Sequence, residues 1–272
     1  MKYYGFNGKI IDQQPDITPQ NRSFRYGDGI FETMKVYQSQ VVLDDLHFDR
    51  LLTSLALLNI SVPDFLNRQQ LNANVLELCK LNNCVESARV RIAVYRDEDN
   101  YAGNIIEVFA LDKEINKLNE NGWTLDLYPL ARKGMDAFAN LKSANYLPYV
   151  MADLYAKQNG MDECLVLNWN NKIADASKAN VFLLFGNEVY TPALHQGCVN
   201  GVKRRFVIEK LKQMGVPVHQ QEVDEELLLN ADEVFLTNAI NDIRWVKSYK
   251  TKNYNSSFVT AFYQKIFPTF YS

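Results

Sequence analysis

Lys142 is the residue of this chain with the most direct route to covalent chemistry. It stands in the run Leu-Lys-Ser-Ala-Asn-Tyr-Leu (141–147), just ahead of an apolar segment of helical character. A lysine in that place can lie at the surface and keep its ammonium group in water. A lysine that is partly buried is instead more readily deprotonated, and its amine can then form a Schiff base with a carbonyl group. Periodicity does not decide between these two interpretations.

Three other segments carry weaker chemical signals. The run 197–204, Gly-Cys-Val-Asn-Gly-Val-Lys-Arg, is a turn that leads into a helix start, where free N–H groups and the helix dipole favour a phosphate. His47 and Arg50 share one face of a predicted helix, although an arginine there can also form a solvated salt bridge. Gly-Asp-Gly at 27–29 predicts a turn before a strand. None of the three identifies a function alone.

Composition and motif searches exclude several classes of function. The chain has 272 residues, with 29 Lys and Arg against 32 Asp and Glu, and a formal net charge of -3 argues against a nucleic-acid partner. No apolar run approaches the roughly 20 residues needed to span a bilayer, and no signal peptide is visible. The four cysteines and three histidines form none of the usual metal-binding spacings. We therefore expect a cytoplasmic protein with reduced thiols, no membrane association and no metal.

Hydrophobic patterning predicts an α+β protein of two domains, divided within the polar connection 112–122. The first domain, 1–115, contains predicted strands at 2–11, 29–43, 88–95 and 105–111 and helices that open at Asp45 and after Asp64. The second domain, 116–272, contains predicted strands at 123–129, 163–168, about 173, 180–185 and 188–191, and helices at 148–158, 200–215 and near 257–267. A further strand, a short acidic helix and another strand precede the last helix.

Taken together and in order, seven motifs resemble the class IV, or fold type IV, pyridoxal-phosphate enzymes. That group includes branched-chain and D-amino-acid aminotransferases and 4-amino-4-deoxychorismate lyase. The resemblance covers nearly the whole chain. The motifs are Tyr-Gly-Asp-Gly-Ile-Phe-Glu-Thr (26–33), His-x-x-Arg-Leu (47–51), Leu-Lys-Ser-Ala-Asn-Tyr-Leu (141–147), Ile-Ala-Asp-Ala-Ser-Lys-Ala-Asn-Val-Phe (173–182), Val-Tyr-Thr-Pro (189–192), Val-Asn-Gly-Val-Lys-Arg (199–204) and Ala-Asp-Glu-Val-Phe-Leu-Thr-Asn-Ala (231–239).

This resemblance implies a D-amino-acid-aminotransferase-like fold, a homodimer, a small-molecule substrate and pyridoxal 5'-phosphate as cofactor. The small N-terminal α/β domain would be followed by a larger C-terminal α/β domain that carries the cofactor lysine. Lys142 matches that lysine, which is attached to the cofactor and moves the proton during catalysis. The residues that match cofactor-binding positions of the family are Arg50 for the phosphate, Asp175 for the pyridine nitrogen, Val202 and Lys203 at a phosphate-binding helix start, and Thr237, Asn238 and Ala239 in a second phosphate-contacting turn.

The chain departs from the family pattern at three cofactor positions. Asp175 replaces the usual glutamate and is one methylene shorter, so the ring must sit closer or a water must bridge. Lys203 stands where many aminotransferases have a threonine, and Ala239 where some have another hydroxyl. Hydroxyl contacts to the phosphate are therefore not expected from these two positions.

The motifs favour 4-amino-4-deoxychorismate lyase over a branched-chain or D-amino-acid aminotransferase. Asn-Gly at 200–201 and Thr-Asn-Ala at 237–239 resemble the lyases, and Phe31 replaces a tyrosine of the D-amino-acid enzymes. Arg91 and Arg96 could contact the substrate, but surface or strand-edge roles are equally compatible with their positions. A third hypothesis is an inactive class IV fold that acts as a binding protein. Its support is Asp175, and the retained Lys142 and Arg50 count against it.

Overall fold

The computed structural model describes residues 2–268, which form two compact units. The first unit runs to Ile115 and also includes Leu141–Asn145. The second comprises Asn116–Asn140 and, among the described residues, 146–268. The prediction of a two-domain α+β fold is confirmed.

The first unit is built on a six-stranded sheet that is antiparallel throughout the described residues. Its elements are β1 (Tyr4–Phe6), β2 (Lys9–Ile11), α1 (Arg22–Tyr26), β3 (Gly29–Tyr37), β4 (Gln40–Val41), α2 (Asp44–Leu57), α3 (Arg68–Leu81), β5 (Ser87–Arg96) and β6 (Ala102–Ala110). The strand order is β2-β1-β6-β5-β3-β4. Alternating residues of β3 and β5 and the apolar sides of α2 and α3 share one core, in which Met34, Leu51 and Val90 are buried.

The second unit has a nine-stranded mixed sheet within the described residues. Its elements are β7 (Trp123–Lys133), α4 (Leu147–Gln158), β8 (Glu163–Asn168), β9 (Ile173–Ala176), β10 (Asn180–Phe185), β11 (Glu188–Pro192), α5 (Val202–Gln213), β12 (Val218–Gln221), α6 (Glu225–Asn230), β13 (Glu233–Asn238), β14 (Asp242–Tyr249), β15 (Lys252–Asn253) and α7 (Ser257–Ile266). The strand order is β12-β11-β10-β13-β14-β7-β8-β9, with β15 beside β14. The pairs β11–β12, β14–β7 and β7–β8 are parallel, and the other pairs are antiparallel.

The segment that carries Lys142 packs differently from the sequence-based expectation. The sequence places Lys142 in the second domain, whereas Leu141–Asn145 belongs to the first unit. The physical reason is backbone pairing with the start of β3: Phe31 N donates to Lys142 O at 2.9 Å, and Ala144 N donates to Gly29 O at 2.9 Å. These bonds join the lysine segment to the first sheet.

Three elements differ from the sequence-based boundaries. Helix α1 was not predicted, although Asn21 caps it by accepting a hydrogen bond from Phe24 N at 3.1 Å. Helix α3 begins at Arg68 rather than directly after Asp64, because Asn67 is its N-cap. Strand β7 continues to Lys133 through an irregularity in its pairing with β8. None of the helices within residues 2–268 has the length and apolar character that crossing a membrane requires.

Candidate active site

Lys142 and Arg91 contact the same aromatic ring of the first unit. Lys142 Nζ lies 4.3 Å from the centroid of the Phe31 ring, and Arg91 Cζ lies 4.9 Å from it. Phe31 is on β3 and Arg91 is on β5, where it pairs with Thr33, so both side chains project from one face of the sheet. Within residues 2–268, no hydrogen bond or ion pair engages the Arg91 guanidinium. Burial lowers the pKa of Arg91, while the charge of Glu107, its partner across the β5–β6 pairing, acts to raise it.

Arg50 belongs to a buried three-residue group with Glu32 and His47. Arg50 Nε and Nη2 donate to the two carboxylate oxygens of Glu32 at 2.7 and 2.5 Å, and His47 Nδ1 lies 2.7 Å from Glu32 Oε2. Burial acts to raise the pKa of Glu32, but the charge of Arg50 and the contact with His47 outweigh it and lower the pKa to about 2. Glu32 therefore fixes the guanidinium of Arg50 in one orientation.

Arg96 has a structural role in the first unit. Its guanidinium donates to Asp28 Oδ2 at 2.9 Å and to the backbone oxygens of Leu58 at 2.9 Å and Asn59 at 3.2 Å. It also donates to the side chain of Asn100. Because all three guanidinium nitrogens donate to protein acceptors, we do not include Arg96 among the residues proposed to contact substrate.

Asp175 lies at the centre of a buried hydrogen-bond network in the second unit. Its Oδ2 accepts from Tyr149 Oη at 2.7 Å and from Val199 N at 2.8 Å, and its Oδ1 accepts from Asn180 Nδ2 at 2.7 Å. Burial raises the pKa of Asp175, while the nearby charge of Lys133 and these hydrogen bonds act to lower it. Asp175 is 2% exposed, so these partners set the electrostatics of the carboxylate.

Lys133 supplies the positive charge beside Asp175. Its Nζ lies 3.7 Å from Asp175 Oδ2, donates to Ala139 O at 2.6 Å and sits 5.2 Å from the ring centroid of Tyr149. Burial lowers the pKa of Lys133, and Asp175 acts in the opposite direction. The ammonium and the carboxylate thus stabilise each other's charged forms in a buried place.

The start of α5 presents backbone donors without a side-chain cap. Its N-cap is Gly201, which makes no side-chain cap hydrogen bond. Asn180 packs so closely here that a Cβ on Gly201 would lie 1.9 Å from Asn180 Oδ1. Glycine is therefore required for this approach, and the N–H groups of Val202 and Lys203 stay outside the helix's own hydrogen-bond ladder.

The end of β13 and the turn that follows it contain the other predicted phosphate contacts, Thr237, Asn238 and Ala239. Asn238 Oδ1 accepts from Ile240 N at 3.0 Å and from Asn241 N at 2.7 Å, which closes the turn. The hydroxyl of Thr237 is buried and has no hydrogen-bond partner within residues 2–268. Such a buried donor is costly when unsatisfied.

Asn180 joins the predicted second-unit residues into one cluster. Its Nδ2 donates to Asp175 and, at 2.9 Å, to Val199 O, just ahead of α5. Asn180 also pairs with Thr237 across β10 and β13. The sequence motifs contain Asn180 and Glu32, but residue spacing does not reveal their partners. Tyr149 and Lys133 carry no sequence signal, because their roles arise from the packing of α4 and β7.

The side chain of Lys203 does not extend from the helix start into solvent. Its Nζ lies 2.6 Å from Asp242 Oδ1, and the two side chains are 1% and 0% exposed. The sequence predicts a phosphate contact only for the backbone N–H of Lys203. A buried side chain is compatible with that prediction. The buried ion pair was not predicted, since Asp242 lies 39 residues further along the chain.

Comparisons with known proteins show which family this chain resembles. The family profile for amino-transferase class IV matches residues 29–249. The chain is 28% identical to the aminodeoxychorismate lyase of Bacillus subtilis over 262 residues, which cover 92% of this chain and 87% of that protein. It is 29% identical over 252 residues to a Methanocaldococcus jannaschii protein provisionally named a branched-chain-amino-acid aminotransferase, with coverage of 89% and 86%.

The fold also matches a solved structure along its whole length. The branched-chain amino acid aminotransferase of Escherichia coli superposes with a TM-score of 0.88 at 22% identity, covering 100% of this chain and 94% of that one. At that level of identity the likeness concerns the fold. The profile match spans most of the chain and includes Lys142, Asp175 and the start of α5. The chain therefore belongs to the class IV aminotransferase family of pyridoxal-phosphate-dependent enzymes.

Proposed function

We propose that this protein is a 4-amino-4-deoxychorismate lyase, which forms 4-aminobenzoate and pyruvate in a step toward folate. The observation that carries the proposal is the ring of Phe31 with Lys142 Nζ 4.3 Å and Arg91 Cζ 4.9 Å from its centroid. Because these two cations lie over the Phe31 ring, the substrate ring would lie beside them, with its amine-bearing carbon toward the lysine and its ring carboxylate toward the arginine.

The state of Arg91 supports a carboxylate-bearing substrate. Arg91 is half-buried, the charge of Glu107 acts on it from the neighbouring strand β6, and a substrate carboxylate would add charge-assisted hydrogen bonds to its guanidinium. An α-amino acid carries its carboxylate on the carbon that bears the amine. An aminotransferase therefore needs its anion-binding group directly beside that carbon, whereas the lyase substrate carries its ring carboxylate farther from the amine.

The second unit contains a cluster of Asp175, Asn180, Thr237 and the start of α5. One structural observation supports the binding of pyridoxal phosphate there. The buried hydroxyl of Thr237 lacks a hydrogen-bond partner in residues 2–268, and the strand that carries it packs against α5, whose N-terminus is uncapped. A phosphate group would accept hydrogen bonds from both features. We assign Val202, Lys203 and the 237–239 turn to the phosphate through these donors, Arg50 through its fixed guanidinium, and Asp175 to the pyridine nitrogen.

When bound, pyridoxal phosphate supplies an electron sink for the carbon that loses its proton. Nζ of Lys142 takes the proton from the amine-bearing ring carbon. The C–O bond to the neighbouring enolpyruvyl group then breaks, the ring becomes aromatic and the side chain leaves as pyruvate. Phe31 excludes water from one side of Lys142, and Lys133 and Tyr149 keep Asp175 oriented.

An aminotransferase acting on branched-chain or D-amino acids is the second candidate, because it uses the same proton abstraction. The M. jannaschii relative, at 29% identity, favours it. The two functions differ in the step after proton abstraction, since a transaminase returns the proton to the cofactor carbon instead of expelling a leaving group.

A parallel assay separates these candidates. Purified protein receives aminodeoxychorismate in one reaction, and D-alanine or leucine with 2-oxoglutarate in the others. We expect equal amounts of 4-aminobenzoate and pyruvate from the first, and no product from a Lys142→Ala control. Fast transamination without pyruvate release from aminodeoxychorismate would move the assignment to the aminotransferases. Absence of all these reactions would favour a binding protein.

We also propose a cytoplasmic location. All four cysteines are buried free thiols, and burial raises the pKa of Cys79, Cys164 and Cys198 to about 12. Thiols of this kind are usual in proteins of reducing compartments. Fractionation of the source cells, followed by immunodetection, would test the location.

A further inference from the structure

We propose that Lys203 and Asp242 are a pair of positioning residues that hold the start of α5 and the turn after β13 in register for one phosphate group. The inference rests on the phosphate assignment of the proposed function and adds a role for two side chains. It does not depend on which reaction the enzyme catalyses.

The two side chains form a direct ion pair between two elements of the second unit. Lys203 is the second residue of α5, and Asp242 is the first residue of β14, directly opposite Asn238 in the pairing with β13. Their charged atoms are 2.6 Å apart, and neither side chain is more than 1% exposed. One end of the pair therefore belongs to the helix start, and the other to the strand that closes the 238–242 turn.

The two elements that this pair connects carry the anion-binding features of the cluster. Helix α5 begins without a side-chain cap within the described residues, and Thr237 contributes a buried hydroxyl without a partner there. A phosphate can use donors from both places only when their separation is held to within a few tenths of an ångström. The ion pair is a side-chain link between Val202–Gln213 and Asp242–Tyr249 at this end of the helix.

The aromatic side chains around the Lys203–Asp242 ion pair restrict its movement, and the pairing prevents Lys203 from acting as an isolated charge. Lys203 Nζ lies 5.2 Å from the ring centroids of both Phe206 and Phe267, so the pair sits among aromatic side chains rather than water. Electrostatic attraction is stronger in such surroundings. Because Asp242 neutralises Lys203, the pair adds little net charge toward an anion, and its contribution is one of position.

The backbone at Asp242 indicates why an acidic residue suits this place. Its φ is +56°, a left-handed conformation that Asp and Asn adopt more readily than most residues. Asp242 can thus turn the chain into β14 and present a carboxylate to α5 at the same time. Asparagine also adopts the left-handed conformation but has no carboxylate to present to α5. Asp242→Asn is therefore the appropriate substitution.

The experiment compares pyridoxal phosphate with pyridoxal, which lacks the phosphate. Both are titrated into the full-length apoprotein, and the ratio of their dissociation constants reports the phosphate contacts alone. The variants are Lys203→Met, Asp242→Asn and the double variant. Removing one partner leaves a buried charge and destabilises the fold, whereas removing both is often tolerated, so the double variant is the decisive one.

We expect the double variant to lose about tenfold or more of the preference for pyridoxal phosphate, with pyridoxal affinity unchanged, as when a charge-assisted hydrogen bond is lost. Lys203→Arg, which keeps a cation opposite Asp242, should recover most of that preference. Lys172→Met is the matched control, because it removes a lysine that is paired with Asp224 at 3.0 Å in the same unit.

An unchanged preference in the folded double variant would overturn the proposal. A stronger preference in Asp242→Asn would also overturn it, because that result would mean that Lys203 binds the phosphate itself once released from Asp242. If the wild-type protein binds pyridoxal phosphate and pyridoxal equally, the phosphate assignment is wrong, and this inference is then wrong as well. The lyase assay is unaffected by any of these outcomes.

Discussion

The position and charge of Asp175 are determined largely by the side chains and backbone groups that contact it. Three donors from different elements, Tyr149, Val199 and Asn180, accompany a lysine 3.7 Å away. These contacts use both carboxylate oxygens, so the group is held in place before any ligand arrives. An acid one methylene shorter than the usual glutamate can thus be positioned by its surroundings rather than by its own length.

Replacing Asp175 with Asn should damage catalysis far more than folding. The amide keeps the shape but has no charge, and its NH₂ group must face a donor, so we expect a stability loss of about 1–3 kcal/mol. Loss of the charge should lower kcat about a hundredfold or more. The measurements are kcat and the urea unfolding midpoint.

Asp175→Glu is the control for that experiment, because it keeps the charge and only adds a methylene. It should retain more activity than Asp175→Asn even where overpacking lowers its stability. Equal activity of the Asn variant and the wild type would remove Asp175 from the proposed contact with the pyridine nitrogen.

The lowered pKa of Glu32 predicts a specific pH dependence of the free energy of unfolding. Its pKa falls from 4.5 to about 2 on folding, so its contribution is fully present above pH 4.5 and is lost as the pH drops toward 2. Between pH 6 and pH 3 the free energy of unfolding should fall by roughly 2 kcal/mol from this group alone.

Urea unfolding of the wild type and of Glu32→Gln at both pH values tests this dependence. The variant lacks the titrating group, so the difference in stability between the two proteins should shrink as the pH falls. A difference that stays constant would mean that Glu32 is not held ionised by Arg50 and His47.

Sequence spacing revealed part of this residue-level arrangement. The three-residue interval between His47 and Arg50 predicted a shared helix face, and both do contact one carboxylate. That the carboxylate is Glu32 depends on β3 lying against α2, which spacing cannot show. The same holds for the pairing of Lys203 with Asp242, whose partners belong to separate elements.

At the scale of elements, the segment Leu141–Asn145 depends on a glycine in the turn before β3. Gly27 has a φ of +66°, and a Cβ there would lie 2.3 Å from Asn145 Oδ1. Gly27→Ala should therefore strain the turn and displace the segment that carries Lys142. We expect a loss of about 1 kcal/mol in stability and a larger loss of activity.

Gly160→Ala is the matched control for Gly27→Ala. Gly160 has a φ of +68°, and a Cβ there would have no atom within 4 Å, so this glycine shares the backbone strain without the contact. Gly27→Ala should lose at least as much stability as Gly160→Ala, and only Gly27→Ala should lose borohydride-dependent pyridoxyl labelling of Lys142. Equal labelling and activity in the two variants would show that the contact with Asn145 does not position the lysine.

Hydrophobic patterns in the sequence predict the positions of helices and strands better than they predict which strands pair. The long helices and most strands follow from apolar spacing, because each presents one side to a core. The five-residue helix α1 is too short to show a period, and no residue in it is buried. The pairing of the lysine segment with β3 links residues more than 100 positions apart, and local patterns contain no information about it.

At the scale of the whole molecule, α4 carries an exposed apolar stripe. Leu147, Val150, Met151 and Leu154 follow helical spacing and are 68%, 46%, 40% and 43% exposed. A contiguous exposed apolar face of this kind marks an interaction surface. Since the resemblance to class IV enzymes implies a homodimer, we predict that a second copy of the chain covers this stripe.

Sedimentation velocity of the wild type and of a Met151→Lys/Leu154→Lys variant tests that prediction. The wild type should have twice the 31.3 kDa mass of one chain, because apolar burial at the stripe favours association. Two buried lysines should weaken dimerisation by about a hundredfold or more, so the variant should sediment as a monomer at micromolar concentration. Leu57→Lys, at a leucine of α2 that is 44% exposed, is the control and should remain dimeric. A monomeric wild type, or a variant that dimerises as tightly as the wild type, would exclude α4 from the interface.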